Sequence, residues 1–386
     1  MTHYLDYAAT SAIRPPSVAE AVATFLTDCG ATQGRGGHEL ALEAGRLALR
    51  CRRLLCQVLG LPGDPGRLAF TYNATHAINT ALWGTLGRGD AVVVTAYDHN
   101  AVLRPAHALA GERDVDVRFL PGSPDGSVDP DALGRLLDGA ALLVVNAASN
   151  VLGTRAPLAE MADLAHSAGA LVLLDVAQSA GHFPTSAAAD GADLVAVTGH
   201  KGLLGPQGIG GLWVSEGCEV DALLRGGTGG NSLERDMPTV MPDRLEAGTQ
   251  NSPGMAGLCA GIEHVLGEGV AAIHERETEL KLRLRDGLDQ VAGARTLSPE
   301  GRDGVGIVTI TSDTVDAPTL ARRLGAEFGV MARAGLHCAP EAHALLGTTE
   351  TGALRLSVGW ATTEEDVDRA IEGVDAICRQ PAVSVS

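Results

Sequence analysis

Leu171-Val172-Leu173-Leu174-Asp175-Val176-Ala177-Gln178 and, further on, Leu194-Val195-Ala196-Val197-Thr198-Gly199-His200-Lys201 decide how this chain is read. Each begins as a short unbroken apolar run and closes on polar residues. Such runs are far too short to span a bilayer and predict buried strands. Further apolar runs at 91–95, 115–120, 141–146 and 209–214 belong to the same series, with stretches of helical spacing such as 157–168 between several of them. Upstream, Leu40, Ala44, Leu47, Cys51, Leu54 and Val58 keep one apolar face at helical spacing, and the pattern stops near Gly60 and Pro62. Continuous apolar strands alternating with helices predict an α/β fold whose mostly parallel sheet is covered on both faces. Ligands bind such sheets beyond the carboxyl ends of the strands. His99, Asn150, Asp175, Gln178, His200 and Lys201 mostly sit just after an apolar run.

Past about residue 255 the pattern changes. Ile273, Leu280, Leu284, Leu288 and Val291 predict a long amphipathic helix. A strand at 307–310, a helix near 318–328 and a strand at 354–358 follow. A last helix opens with a capping-box pattern from Thr363 to Asp366 and continues through Val367, Ala370, Ile371 and Val374. The expected division is a large α/β domain over 15–255 and a small α+β domain made of 1–14 plus 256–386.

A chain of 386 residues suits one large and one smaller domain. Hydrophobic residues make up 45% of it but aromatics only 3%, so the core is built from Ala, Val, Leu and Ile. The net charge of −18 argues against a nucleic-acid or anionic-membrane partner, which would need clustered Lys and Arg. The N-terminal stretch from Met1 to Asp6 has neither a basic nor an apolar region of a signal peptide. Seven scattered cysteines without C-x-x-C spacing suit a reducing, cytoplasmic setting with no structural disulfide and no metal site. Most of them are expected in the core.

An Asp that ends a buried strand is costly unless it meets a cation or several donors. A protonated pyridine nitrogen would satisfy Asp175, and the carboxylate would in turn keep that ring an electron sink. Lys201, 26 residues on in a Gly-flanked turn, could hold such a cofactor through its amine. Burial near other cations lowers a lysine's pKa and makes its amine nucleophilic.

Seven segments in order resemble the class V aminotransferase family, which includes cysteine desulfurases and selenocysteine lyases: Leu5-Asp6-Tyr7-Ala8-Ala9-Thr10, Gly34-Arg35-Gly36-Gly37-His38, Asp98-His99-Asn100, 175–178, 198–201, Glu246-Ala247-Gly248-Thr249 and Arg333-Ala334-Gly335-Leu336-His337-Cys338-Ala339-Pro340. The resemblance implies the aspartate aminotransferase-like fold, fold type I, and the cofactor pyridoxal 5′-phosphate (PLP). Position by position, it makes Lys201 the lysine that carries PLP, Asp175 the partner of the ring nitrogen and Gln178 the donor to the ring's phenolic oxygen. His99 becomes the ring-stacking histidine, with a further role in moving protons. Asn150 falls near the cofactor oxygen and the substrate carboxylate. Thr75, Thr198 and His200 become phosphate donors, and Thr75 also lies where an expected helix over 74–86 begins, a position that favours anions. Thr249 matches a phosphate donor supplied by the other subunit, which implies a homodimer with shared active sites. Arg355, interrupting an apolar strand, resembles the arginine that grips the substrate carboxylate through its planar fork. Cys338 falls where desulfurases of the shorter-loop type carry their nucleophile, and positive charge from its neighbours Arg333, His337 and His343 would favour the thiolate.

The chain departs from the family at Tyr7, where many members have Asn, at His76, where Glu is common, and at Thr198, where Ser is usual. The expected reaction converts L-cysteine to L-alanine and leaves the sulfur on Cys338 as a persulfide. Selenocysteine or another C–S amino acid, and the transamination or epimerisation chemistry of the same fold, are the rival readings. A catalytically silent PLP-binding or sulfur-carrying protein would not need both Lys201 and Asp175. A sulfur-acceptor protein stands among the candidate partners.

Overall fold

A computed structural model of the chain describes residues 2–34, 36–230 and 233–380; Met1 and Arg35, which fall in segments quoted above, lie outside them. Its largest sheet has seven strands in the spatial order Leu68–Thr71, Gly210–Val214, Leu194–Thr198, Leu171–Asp175, Leu142–Asn146, Ala91–Thr95, Asp116–Leu120. Neighbours are parallel except at Gly210–Val214, which runs antiparallel to both of its partners. The α/β class and the mostly parallel sheet expected from the sequence are therefore found.

The pleat explains why these strands read as unbroken apolar runs. Val93, Leu143, Val172 and Val195 point into one core, and Val92, Leu142, Leu173 and Leu194 into the other. With a core on each face, alternation between apolar and polar residues has no use. The helix Glu39–Leu59 and the helices Pro130–Leu137 and Leu158–Ser167 contribute to the first core; Ala74–Thr85 and Asn100–Arg113 contribute to the second. The strand Leu68–Thr71 was not expected. Four residues are too few for a periodic signal, and its place is fixed by pairing with Gly210–Val214.

A second sheet is antiparallel, in the order Arg333–Gly335, Ala353–Ser357, Ile307–Ser312, Ala294–Thr296. Its Val308, Ile310, Leu354 and Leu356 share a core with Leu280, Leu284 and Leu288 of helix Val270–Asp289 and with Val367, Ala370 and Val374 of helix Glu364–Arg379. The capping box of that last helix is complete on both sides. The helix expected near 318–328 runs as α-helix over Ala317–Arg323 and ends in a wider turn, Leu324–Phe328, closed by left-handed Gly329. At the N-terminus, His3–Tyr4 pairs with Val330–Met331, and Asp6 bridges to Ser357.

Helix Ser252–Glu268 bends by 78° into Val270–Asp289. Its Met255, Leu258, Cys259, Ile262 and Val265 lie in the core of the seven-stranded sheet. A boundary at 255/256 would cut that helix away from its core, so we propose the division at Gly269. Among the described residues no single helix is long and apolar enough to cross a membrane.

Candidate active site

One cavity of about 240 Å³ collects nearly every residue singled out above: Thr75, His99, Asn150, Asp175, Gln178, Thr198, His200, Lys201, Cys338 and Arg355 line it. Thr249 does not; it is exposed on a segment outside this cavity. The segment's Glu246 is a buried anchor instead, taking Arg52 Nη2 on both carboxylate oxygens at 2.7 and 2.8 Å and Phe70 N at 2.6 Å.

The first wall comes from the carboxyl ends of the large sheet. Asp175 closes its strand with a buried carboxyl whose Oδ1 accepts from Ala177 N at 2.9 Å. Burial pushes its pKa up, against the pull of that N–H and of Lys201. A cation bound at the free oxygen would reverse this and hold the carboxylate. On the adjacent strand, Thr198 closes its run with a buried hydroxyl that has no partner among the described residues. An unpaired buried hydroxyl is costly, and an acceptor bound in the cavity would satisfy it.

Lys201 follows in the turn after Thr198, with its carbonyl oxygen accepting from Ser11 Oγ at 2.9 Å. Burial pulls its pKa down to about 8; Asp175 opposes that, and Arg355 and Arg333 add to it. The sequence holds two lysines, Lys201 and Lys281. Lys281 is also buried, but its Nζ is committed to the Asp303 carbonyl at 2.8 Å. So sparse a lysine usage was itself a signal for Lys201 that motif reading passed over.

Helix starts supply further donors. Asn73 Oδ1 caps helix Ala74–Thr85 by accepting from His76 N at 2.9 Å. The N–H groups of Ala74 and Thr75 have no intrahelical partner and, with both residues on the cavity wall, suit an anion. His99 caps helix Asn100–Arg113, its Nδ1 accepting from Ala101 N at 3.0 Å, so the neutral ring carries its proton on Nε2. Burial, helped by Lys201, Arg333 and Arg355, lowers its pKa to about 4. His200 is likewise held at about 4 by burial, with Lys201 and Arg14 adding to it, and its Nδ1 meets Thr10 Oγ1 at 3.0 Å. Gln178 donates one N–H to the Ala8 carbonyl at 2.9 Å and keeps the other.

The second wall belongs to the smaller sheet. Arg355 is 2% exposed, on a strand with neighbours on both sides. Leu354 and Leu356 face the helices and Arg355 faces the cavity, which is why it interrupts an apolar strand. Its Nη1 donates to the Asn150 carbonyl and its Nη2 to Asp6 Oδ1, each at 3.0 Å, while Nε is buried without a partner among the described residues. Directly opposite in register stands Arg333, also on the cavity wall. Like charges facing across strands repel, and an anion between them relieves the repulsion. Asn150 ties the two sides together by donating Nδ2–H to the His337 carbonyl at 2.7 Å, leaving its buried Oδ1 unpartnered among the described residues.

Cys338 is exposed to this cavity, whereas Cys29, Cys51, Cys56, Cys259 and Cys378 are buried. His337 and Cys338 both adopt left-handed backbone, φ 51° and 57°. A non-glycine residue there costs on the order of 1–3 kcal/mol. The positive charge expected from His337 and His343 is not found. Burial and Arg355 hold His337 at about 3, and burial lowers His343 as well, so the charge beside Cys338 comes from the arginines. Asn73 and Asn146 are lining residues that the sequence left unassigned, and Arg333, expected only as a charge near Cys338, also lines the cavity. Asn146 carried the same signal as Asp175, a polar residue closing an apolar strand. Of the departures, Tyr7 is buried with its ring against Gly359, where a Cβ would come within 2.3 Å of it, and His76 stacks on exposed Tyr72.

The aminotransferase class-V family matches residues 3–370. Among similar proteins is a probable cysteine desulfurase of Methanothermobacter thermautotrophicus, 32% identical over 97% of this chain and 94% of that one. A cysteine desulfurase of Escherichia coli O157:H7 is 33% identical over 97% and 93%. Of solved structures, the apo cysteine desulfurase of Thermococcus onnurineus superposes with a TM-score of 0.90 at 28% identity, covering 98% of this chain and 95% of that one. The Escherichia coli cysteine desulfurase CsdA, as its S-sulfonic acid, gives 0.88 at 30% identity over 99% and 96%.

Proposed function

The chain belongs to the class-V aminotransferase family, and we propose that within it the protein is a cysteine desulfurase that converts L-cysteine to L-alanine and keeps the sulfur on Cys338. The observation that carries this reading is one cavity lined by Lys201, Asp175, Arg355 and an exposed Cys338.

The residues present fit PLP. Thr198 has a buried hydroxyl in need of an acceptor, Thr75 and Ala74 offer helix-start N–H groups, and Asp175 has a carboxyl in need of a cation. Thr75, Thr198 and His200 would hold the phosphate, Asp175 the ring nitrogen, Gln178 and Asn150 the ring oxygen, and Lys201 the aldehyde carbon, with His99 over the ring. When bound, PLP supplies the electron sink that makes the Cα–H of an amino acid acidic.

The chain's own residues do the rest. Arg355 and Arg333 orient the substrate carboxylate. Lys201, its pKa near 8, is partly neutral at physiological pH and takes the Cα proton at Nζ. The Cys338 thiolate attacks the substrate sulfur: an S–S bond forms, the Cβ–S bond breaks, and its electron pair stays with the carbon skeleton, which is protonated to alanine. Atoms and electrons balance without an outside oxidant. Thr249, exposed and outside its own chain's cavity, would complete the phosphate site of a second copy, so a homodimer is part of the proposal. So are a cytoplasmic location, on account of seven unpaired cysteines, and a protein that takes the sulfur from Cys338.

The test is to incubate the PLP-loaded protein with L-cysteine without reductant, then measure alanine and map added sulfur by mass spectrometry. Alanine equal to sulfur gained on the Cys338 peptide is expected. Alanine formed equally well by Cys338→Ala, or no alanine at all, would overturn the reading.

A further inference from the structure

Two buried histidines beside Cys338 have no part in the chemistry above. His337 Nε2 lies 3.2 Å from the carbonyl oxygen of Arg333. A carbonyl only accepts, so Nε2 carries the proton and Nδ1 is the acceptor of the neutral ring. His343 Nε2, 3.2 Å from that Nδ1, is then the donor. That leaves His343 Nδ1 to accept from the Thr348 hydroxyl at 2.7 Å. Donor and acceptor are thus assigned along three side chains, and both nitrogens of each ring are engaged. The rings stack with centroids 5.4 Å apart. His343 is fully buried, and His337 and Thr348 are buried too.

Neither nitrogen of His337 is free to take a proton from Cys338 or give it one. Charge around the pair works the same way: Arg333 and Arg355, on the two strands beside it, both disfavour an imidazolium at His337. The backbone needs an anchor here, because residues 337 and 338 are consecutive left-handed non-glycine positions. Their carbonyls are gripped from the large-sheet side, His337 O by Asn150 Nδ2 and Cys338 O by Asn100 N, each at 2.7 Å. From the other side the grip is the His337 ring, tied through His343 to helix Pro340–Leu345 and to Thr348 after it.

We propose that Thr348, His343 and His337 form a positioning device for Cys338: a neutral hydrogen-bonded chain whose direction is fixed by the Arg333 carbonyl and which locks the left-handed turn so that the thiol stays on the cavity wall. The three residues act through geometry; none is an acid or base in the reaction. The inference deepens the cysteine desulfurase reading and rests on it for the sulfur-transfer readout.

The experiment uses the full, PLP-loaded protein and the variants Thr348→Val, Thr348→Ser and His343→Phe. Thr348→Val removes the terminal donor but keeps the backbone bond from Thr348 N to His343 O. His343→Phe keeps a ring in the stack and removes both nitrogens. Misplacing a reacting group by about 1 Å costs on the order of 10²-fold in rate, so His343→Phe should lower kcat for alanine formation by up to that factor and Thr348→Val by less. KM for cysteine, the visible cofactor band and the apparent pKa values of the kcat profile should stay as in the parent. Iodoacetamide alkylation of Cys338 should change in rate in both, and Thr348→Ser should restore parent behaviour. Parent kcat and parent alkylation rate in Thr348→Val overturn the proposal, as does an ionisation lost from the pH profile of His343→Phe. Should the parent protein release no alanine, the desulfurase reading fails, while the alkylation rates still decide the positioning claim.

Discussion

Asp175 and Cys338 line the same cavity, but they are held there in opposite ways. Asp175 ends a strand paired on both sides in a sheet with a core on each face, and its carboxyl rests on the N–H two residues on. Cys338 sits in a left-handed turn between a three-residue strand and a six-residue helix, pinned by side chains and by one helix-start N–H. A group that binds a cofactor gains from a rigid frame, because its geometry is wanted unchanged throughout. A sulfur that must meet a substrate and then pass its cargo on is better carried by a turn. The wall that holds and the wall that reacts should therefore be separable by mutation.

Lys201→Ala should have the largest effect, removing the visible PLP band and all alanine formation, as read by absorbance and amino-acid analysis. Asp175→Asn should keep PLP bound but slow alanine formation on the order of 10²–10³-fold, the range for losing one preorganised partner of a developing charge. Cys338→Ser belongs to the other wall. It should leave the PLP band intact and abolish sulfur capture, and a parallel loss of the band would erase the distinction between the two walls.

Thr198→Val sharpens the comparison from within the first wall. In the PLP-free protein it replaces an unpaired buried hydroxyl, so thermal stability should hold or rise; PLP affinity should fall about 10- to 10²-fold for the lost hydrogen bond to a charged group. The smallest effect is in pH. With the Lys201 pKa lowered from 10.5 to about 8, its reactive neutral amine accumulates as pH rises from 7. The rate of PLP uptake should climb about tenfold between pH 7 and 9 and then level off, instead of climbing on toward 10.5.

The difference between the walls also explains what the sequence made legible. A polar residue closing an apolar run marks a strand end, and strand ends of a parallel sheet converge on the ligand. Asp175 and Lys201 were readable on that ground, Thr198 was assigned through the family resemblance, and Asn146 carried the same mark. Arg355 was visible as a charge among apolar neighbours. Arg333 was read only as a positive neighbour of Cys338, because its approach to Arg355 depends on strand register across 22 residues, which spacing does not disclose. His337 and His343 were read as cations from their type alone. Their burial and their engagement with Arg333 O and Thr348 decide otherwise, and both depend on tertiary contacts. The helix Ser252–Glu268 was divided for a similar reason: a change of pattern near 255 is visible, but the core its apolar residues join is not.

The central claim is that a single amine at position 201 holds the cofactor opposite Asp175. Borohydride reduction of the PLP-loaded protein, followed by peptide mapping, tests it directly because the chain offers only two lysine side chains. The account predicts the phosphopyridoxyl mass on the peptide containing Lys201. That mass on the Lys281 peptide, or on neither, would contradict it.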